Sequence, residues 1–496
     1  MHPRRYRIAW PQARLALALG AALALAAGCA TAPPRSYEAI KARPAAAPAT
    51  PGERAAPGVL PEAKVPARLS LRQAVGLALA HSPDQEMALA RIRQSEALVD
   101  QALAAFWPVL RAQGSYQRGD APSAYLFSSI DQRTLGSSVN FNQPGVFQNF
   151  EAGLQAQWNL YRGGRDLLRR QMAATGLEIS RLDRQSVENA LVASVIQAFY
   201  NGLAARDFAG ISAQSQKTVE AQLRSMRLRH EAGGALKADV LSLEVRLAQA
   251  QEEWVRAENQ HRLALAALAN LMGADPDAQF ALDQGDSPQA KTPAIYRDGL
   301  AMALKLRPEL KKARRQVEKA ALAVDQARAG YLPTLDAQGR VYMDAATPGQ
   351  FETDNANWVA GLVLNWDLFT GLSTGAQVRS AAAGLEQMLA ADRKATRQVQ
   401  LEVKSAYLNL TAAQARGRVS QASLASAGQS LTLVQRQFDG GAATVTRYLE
   451  AELDLTRARQ RAAASRYDQA KAAADIARSL GLWARQEEVR HAPQKN

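Results

Sequence analysis

One cysteine stands in the whole chain, Cys29, so no disulfide within the chain can brace the fold. Histidine is nearly as scarce. The five present, His2, His81, His230, His261 and His491, are too scattered for a metal cluster or a catalytic relay. No HExxH, CxxC or phosphate-loop pattern occurs, and His230 beside Glu231 is an isolated pair. No enzyme, metal site or cofactor is therefore expected. Aromatics make up only 6% of the residues, while Ala, Leu, Gln and Arg fill long tracts, a composition of extended helices rather than a large β-sandwich. Charge of one sign is never massed in a block: the formal +14 is interleaved in both signs, which speaks against a nucleic-acid partner. Proline is absent from residues 145–275 and 349–492 although the chain holds 21, and gaps of that length predict long uninterrupted helices.

Long apolar runs are also missing, with one exception. Leu15–Ala27 reads LALALGAALALAA behind Arg4, Arg5, Arg7 and Arg14, too short to span a bilayer and typical of a secretory signal over residues 1–28. Its removal takes away four arginines and no acid, leaving a formal charge of +10. Cys29 follows at once in LAAGCA, which resembles the lipobox of bacterial lipoproteins, with Leu25 one place further from the cysteine than usual. That resemblance implies lipid attachment at Cys29. Residues 30–66 hold eight prolines and read as part of an extended tether, 29–66.

What the chain does contain is itself, twice. LSLRQAVGLALAHSPDQEMALARIRQSEALVDQALAAFWPVL from Leu69 matches the segment from Ala294 to Leu335 at an offset of 225, so Pro83 answers Pro308 and Pro108 answers Pro333. Past a loop that is 17 residues shorter in the second copy, the offset becomes 208. There FEAGLQAQWNLYRGG (Phe150–Gly164) answers WVAGLVLNWDLFTGL (Trp358–Leu372), with Trp158/Trp366 and Gly163/Gly371 identical. A period near 210 residues is too long for a solenoid and marks a duplicated domain-sized unit, 67–275 and 276–484, with a tail at 485–496. Val187, Leu191, Val195, Phe199 and Leu203 form a helical stripe in a run from Gly163 to about Glu231. As one helix, that run would reach on the order of 100 Å. Gly233–Gly234 and Gly440–Gly441 would end the long helices and turn the chain into return helices.

Between these helical tracts the period changes to two. Phe150, Ala152, Leu154, Ala156, Trp158 and Leu160 alternate with polar residues, and Trp358 to Leu368 keeps the same phase. Leu110–Gln117 and Leu335–Val341 supply a partner strand in each copy, apolar on even numbers in the first and on odd numbers in the second. An odd offset must swap parity if one face is to stay apolar. Such strands suit a transmembrane wall with lipid on one side and water on the other. The competing reading is a soluble hairpin on a core. Four strands cannot close a barrel, and open edges are not tolerated in lipid. Two copies would give eight strands and a filled interior, whereas three give twelve and room for water. Three is the preferred number. Gly119–Gln148 and Asp344–Asn357 suit exposed loops.

This order of parts resembles the TolC-type outer-membrane efflux family, in its lipoprotein (NodT-like) branch. The resemblance rests on FWPVL and YLPTL, on WNLYRGG and WDLFTGL, and on the tips HEAGGALKADVLSLE and FDGGAATVTRYLEAE. It implies an α+β membrane protein: a homotrimer with a 12-stranded β-barrel, four strands per chain, continuous with a long α-helical barrel in the periplasm. It also implies a periplasmic adaptor, an inner-membrane pump and outer-membrane lipid as partners, and a Gram-negative outer membrane as location. Gly233, Gly234, Gly440, Gly441 and Thr444 would form the tip turns and adaptor contact, and Asp239, Arg447 and Glu450 the gate. Arg447 stands where the family can carry an acid, which argues against a purely acidic ring. Blander roles are open at each position: Asp239 as a favourable charge at a helix start, Thr444 or Thr446 as a cap, Arg447 as a solvated charge. The chain would be a passive efflux duct for small molecules. A type I protein-secretion conduit or a non-conducting coiled-coil spacer are the alternatives.

Overall fold

The computed structural model describes residues 63–137, 139–140, 142–285 and 291–485. The stretch that reads as a signal, 1–28, and Cys29 lie outside the described residues, as do most of the stretch that reads as a tether and nearly all of residues 485–496. Contacts divide the described chain into a sheet unit, 104–163 with 331–368, and a helical unit formed by the rest.

The duplication is visible in the element lengths. In the helical unit, β1 (Arg68–Leu69), α1 (Leu71–His81) and α2 (Pro83–Leu103) are matched later by β4 (Ala281–Leu282), α6 (Tyr296–Leu306) and α7 (Pro308–Arg328). Helices α4 (Arg165–Glu231) and α8 (Ser373–Asp439) are each 67 residues long, and α5 (Lys237–Leu271) and α9 (Val445–Ser479) each 35. Pro83 and Pro308 sit at helix starts, where the missing N–H costs nothing. At about 1.5 Å per residue the 67-residue helices are ~100 Å long. None of the described helices is both long and apolar enough to cross a membrane.

α4 packs on α5 and α8 on α9, and α9 also packs on α4, so the two hairpins lie side by side. Leu191, Val195, Phe199 and Leu203 are buried as their spacing predicts, against Leu71, Ala74, Leu268 and Met272. Ala63 belongs to the same cluster and its N–H donates to Gly273 O at 3.2 Å, so packed structure begins inside the stretch that reads as a tether. A second cluster around Val399, Val403, Leu310 and Ile476 is the counterpart in the second repeat. β1 and β4 pair in parallel, a two-residue bridge that the sequence does not announce.

The sheet unit holds β2 (Val109–Gly119), β3 (Phe147–Arg162), β5 (Thr334–Ala345) and β6 (Ala356–Asn365), all antiparallel in the order β2-β3-β5-β6. The register puts Leu110 opposite Ala156, Leu154 opposite Val341, and Ala337 opposite Leu362. The parity swap is therefore real: even residues of β2, β3 and β6 share a face with odd residues of β5. Two details differ from the sequence pattern. β6 stops at Asn365, not Leu368, because its neighbour β5 starts at Thr334, after Pro333. And Gly119–Gln148 is not plain loop: it contains α3 (Pro122–Asp131).

Candidate functional site

Two regions carry the candidate residues, and each is described on its own. The first is the wall of the sheet. Its apolar face is bare: Leu110, Leu154, Val341, Leu362 and Leu364 are all more than half exposed. Its other face is polar and internally paired. Arg340 Nη2 meets Glu151 Oε2 at 2.7 Å and stacks over the Tyr342 ring, while Arg111 donates to Gln157 at 3.3 Å. Gly153 lies on this face opposite Tyr342, where a Cβ would come within 2.9 Å of Tyr342 Cβ. At the end where the chain leaves for the long helices, each repeat ties one tryptophan to its own backbone. Trp158 Nε1 donates to Phe106 O at 2.9 Å, and Trp366 Nε1 to Tyr331 O at 3.1 Å. The repeat alignment shows these tryptophans as identical. It does not show their hydrogen bonds.

The second region is the pair of hairpin tips. Gly233 and Gly441 hold φ of +79° and +80°, while Gly234 and Gly440 do not need that region. Gly234 N donates back to Arg229 O at 2.8 Å and Ala442 N to Gln437 O at 2.7 Å, which closes each helix end. Thr444 caps α9: its hydroxyl accepts from Arg447 N at 3.2 Å. Asp239 lies in the first turn of α5, where a negative charge opposes the helix dipole. Arg447 and Glu450 pair with each other at 3.5 Å within the chain, both mostly exposed.

Beneath the tips is a core the sequence reading did not single out. Val219, Leu223, Met226, Val240, Leu243, Val434, Phe438, Val445 and Tyr448 pack together from all four helices. Phe438 stacks on Tyr448 at 5.3 Å, and Arg229 reaches from α4 over Phe438 to Asp439 of α8. Burial, only partly offset by a hydrogen bond with Gln222, pushes the Tyr448 phenol up to about 12, so it stays neutral. Deeper still, Arg246 of α5 meets Glu452 of α9 at 3.1 Å with both side chains buried. Ser215 of α4 and Thr456 donate to the same carboxylate at 2.6 and 2.9 Å. The signal for this network was present in the sequence, since Glu452 interrupts the apolar stripe Val445, Tyr448, Leu455. Among the described residues no His, Cys, Asp and Glu group suits a metal ion.

A sheet with one bare apolar face, long paired helices and glycine-turned tips describes a membrane channel, and the comparisons agree. Protein CyaE of Bordetella pertussis is 28% identical over 90% of both chains. The pyoverdine export outer membrane protein OpmQ of Pseudomonas aeruginosa is 25% identical, covering 82% of this chain and 83% of its own. Among solved structures, the Campylobacter jejuni CmeC outer membrane channel superposes with a TM-score of 0.73 at 16% identity. That match covers 83% of this chain and 85% of CmeC, and shows the fold. The family model for outer membrane efflux proteins matches residues 74–274 and 299–482, so the chain belongs to that family and its place is the outer membrane.

Proposed function

We propose that three copies of the chain join their sheets into one 12-stranded barrel, and that the assembly is the passive outer-membrane duct of a tripartite efflux system. One observation carries this reading: β2 and β6 each pair on one side only, in a sheet whose apolar face is bare. In lipid an unpaired strand edge costs several kcal/mol per orphaned group, so the edges must find partners. The two outermost long helices have the matching property. Leu241, Val245, Val255 and Leu263 on α5, and Leu401, Leu408, Val419 and Leu433 on α8, are at least half exposed. Sister copies would cover both.

The duct itself does no chemistry. An inner-membrane pump supplies energy, and a periplasmic adaptor docks at the tip turns around Gly233, Gly234, Gly440, Gly441 and Thr444. The gate is Asp239, Arg447 and Glu450. An exposed ion pair such as Arg447–Glu450 is worth at most ~1 kcal/mol, so an adaptor can exchange it for its own contacts at little cost. Docking then shifts the tips from closed to dilated. The relatives named for pyoverdine export and fusaric acid resistance support small molecules as cargo, while AprF of Pseudomonas aeruginosa, named for alkaline protease secretion, supports a type I protein-secretion conduit as the second reading. Purified protein in a planar bilayer should show discrete, low resting conductance, and Arg447→Ala with Glu450→Ala should raise it. Unchanged conductance would remove the pair from the gate, and no openings at all would sink the duct.

A further inference from the structure

The extra 17 residues of the first repeat build something the second repeat lacks. They include α3 and the turn after it, and that turn is fastened to the sheet. Gln132 Nε2 donates to Asn149 Oδ1 at 2.7 Å and to Gln148 O at 2.9 Å. The Tyr342 hydroxyl donates to Asp131 Oδ2 at 3.5 Å, and Asn357 Nδ2 to Asp131 O at 3.4 Å. Arg133 Nη2 donates to Asn357 Oδ1 at 3.1 Å. Asn149, Tyr342 and Asn357 come from three different strands, and by register all belong to the polar face. So the turn covers the water side of the wall, not the lipid side. Below it Asn149 and Asp344 are buried and hydrogen-bonded to each other. Arg133 is held at φ +60°, a conformation that non-glycine residues adopt only when their surroundings impose it. The turn is a built feature.

α3 has two faces. Ser129 is buried on the near one. Phe127 and Ile130, one helical turn apart, occupy the other, at 66% and 39% exposure. Large apolar side chains on the lipid side of a wall need no explanation, but these two stand on a helix whose end is fastened to the polar face, beside the partly buried Tyr125 and Leu126. We infer that Phe127 and Ile130 form an apolar collar in the far mouth of the duct, one pair per copy around its axis, and act as a specificity-determining constriction separate from the tips. Apolar constrictions hinder hydrated ions by dewetting while amphipathic solutes can still pass. The inference rests on the trimeric-duct reading.

The test uses a thiol placed on the polar face, Gln155→Cys in β3, and a charged, membrane-impermeant thiol reagent added outside intact cells. The chain without that thiol gives the background rate. Entry from outside makes the state of the tips irrelevant. Phe127→Ser with Ile130→Ser should speed labelling several-fold, and Phe127→Trp should slow it. Because the two variants are expected to move in opposite directions, misfolding cannot mimic the result. Equal rates in all three backgrounds would overturn the collar and leave the duct standing. Absence of discrete openings in a bilayer would remove the duct itself.

Discussion

Leu372 is the residue at which the duplication shows its seam. It is the N-cap of α8 at φ +67°, and its counterpart Gly164 caps α4 at φ +81°. Only the glycine adopts that region freely; a side chain there costs ~1–2 kcal/mol. Leu372 is 75% exposed, so Leu372→Gly should raise the melting temperature by relieving strain while losing little packing. The tips give the converse. Gly441→Ala forces a side chain into φ +80° and should destabilise by ~1–2 kcal/mol in chemical denaturation. Gly440→Ala should be nearly neutral, since an added Cβ would meet Arg436 O at 3.4 Å in an ordinary backbone conformation. Residue type told part of this in advance. Paired glycines after a helical run are readable as a turn, but which of the two bears the left-handed angle depends on the hydrogen bonds that close the helix. A threonine cap was readable, but not whether Thr444 or Thr446 supplies it, just as Gly234 was not separable from Gly233: side-chain chemistry is written in the sequence, and backbone angles are not.

Elements were the most legible scale. Proline-free gaps, a 3.6 period and a period of two are local signals, and they locate α4, α8 and the four strands of the sheet. α3 escaped because ten residues of mixed polarity carry too little periodicity, and because tertiary hydrogen bonds from Gln132 and Tyr342 fix its end. What joins elements was harder to read. The Arg246–Glu452 pair links α5 to α9 across α4, and a buried charge left without its partner costs about 3–5 kcal/mol. Glu253, half-exposed and 3.7 Å from Arg246, can hold only part of that charge, so Glu452→Leu alone should destabilise in denaturant titration, and Arg246→Met with Glu452→Leu should recover part of the loss. A second junction depends on pH. Burial works against the charge on Glu402, but the hydrogen bond from Gln398 and the Arg307 guanidinium outweigh it and hold the carboxyl below its ordinary value. Arg307 Nη2 donates to that carboxylate at 2.8 Å and Nη1 to Ser479 O at 3.2 Å, tying α8 to α9. A lowered folded pKa means the stabilisation is complete above the unfolded value of 4.5 and is lost as pH falls through the folded one. Melting temperature should fall on acidification below that point, and Glu402→Gln should flatten the slope.

For the whole molecule the sheet poses the governing question, because everything about the duct depends on where its two open edges go. The alternating leucines of the sheet were visible as a pattern, but only the observed strand order shows that β2 and β6 are the edges left free. Eight strands would enclose an interior filled by side chains such as Arg111, Gln155 and Arg340, with no water path. Twelve leave one. The number of copies therefore decides function, and the direct measurement is the mass of the protein part of the detergent-extracted assembly by light scattering with refractive-index and absorbance detection. Three chains of the mature protein are predicted. A dimer, or a monomer that stays dispersed in buffer without detergent, would contradict the account.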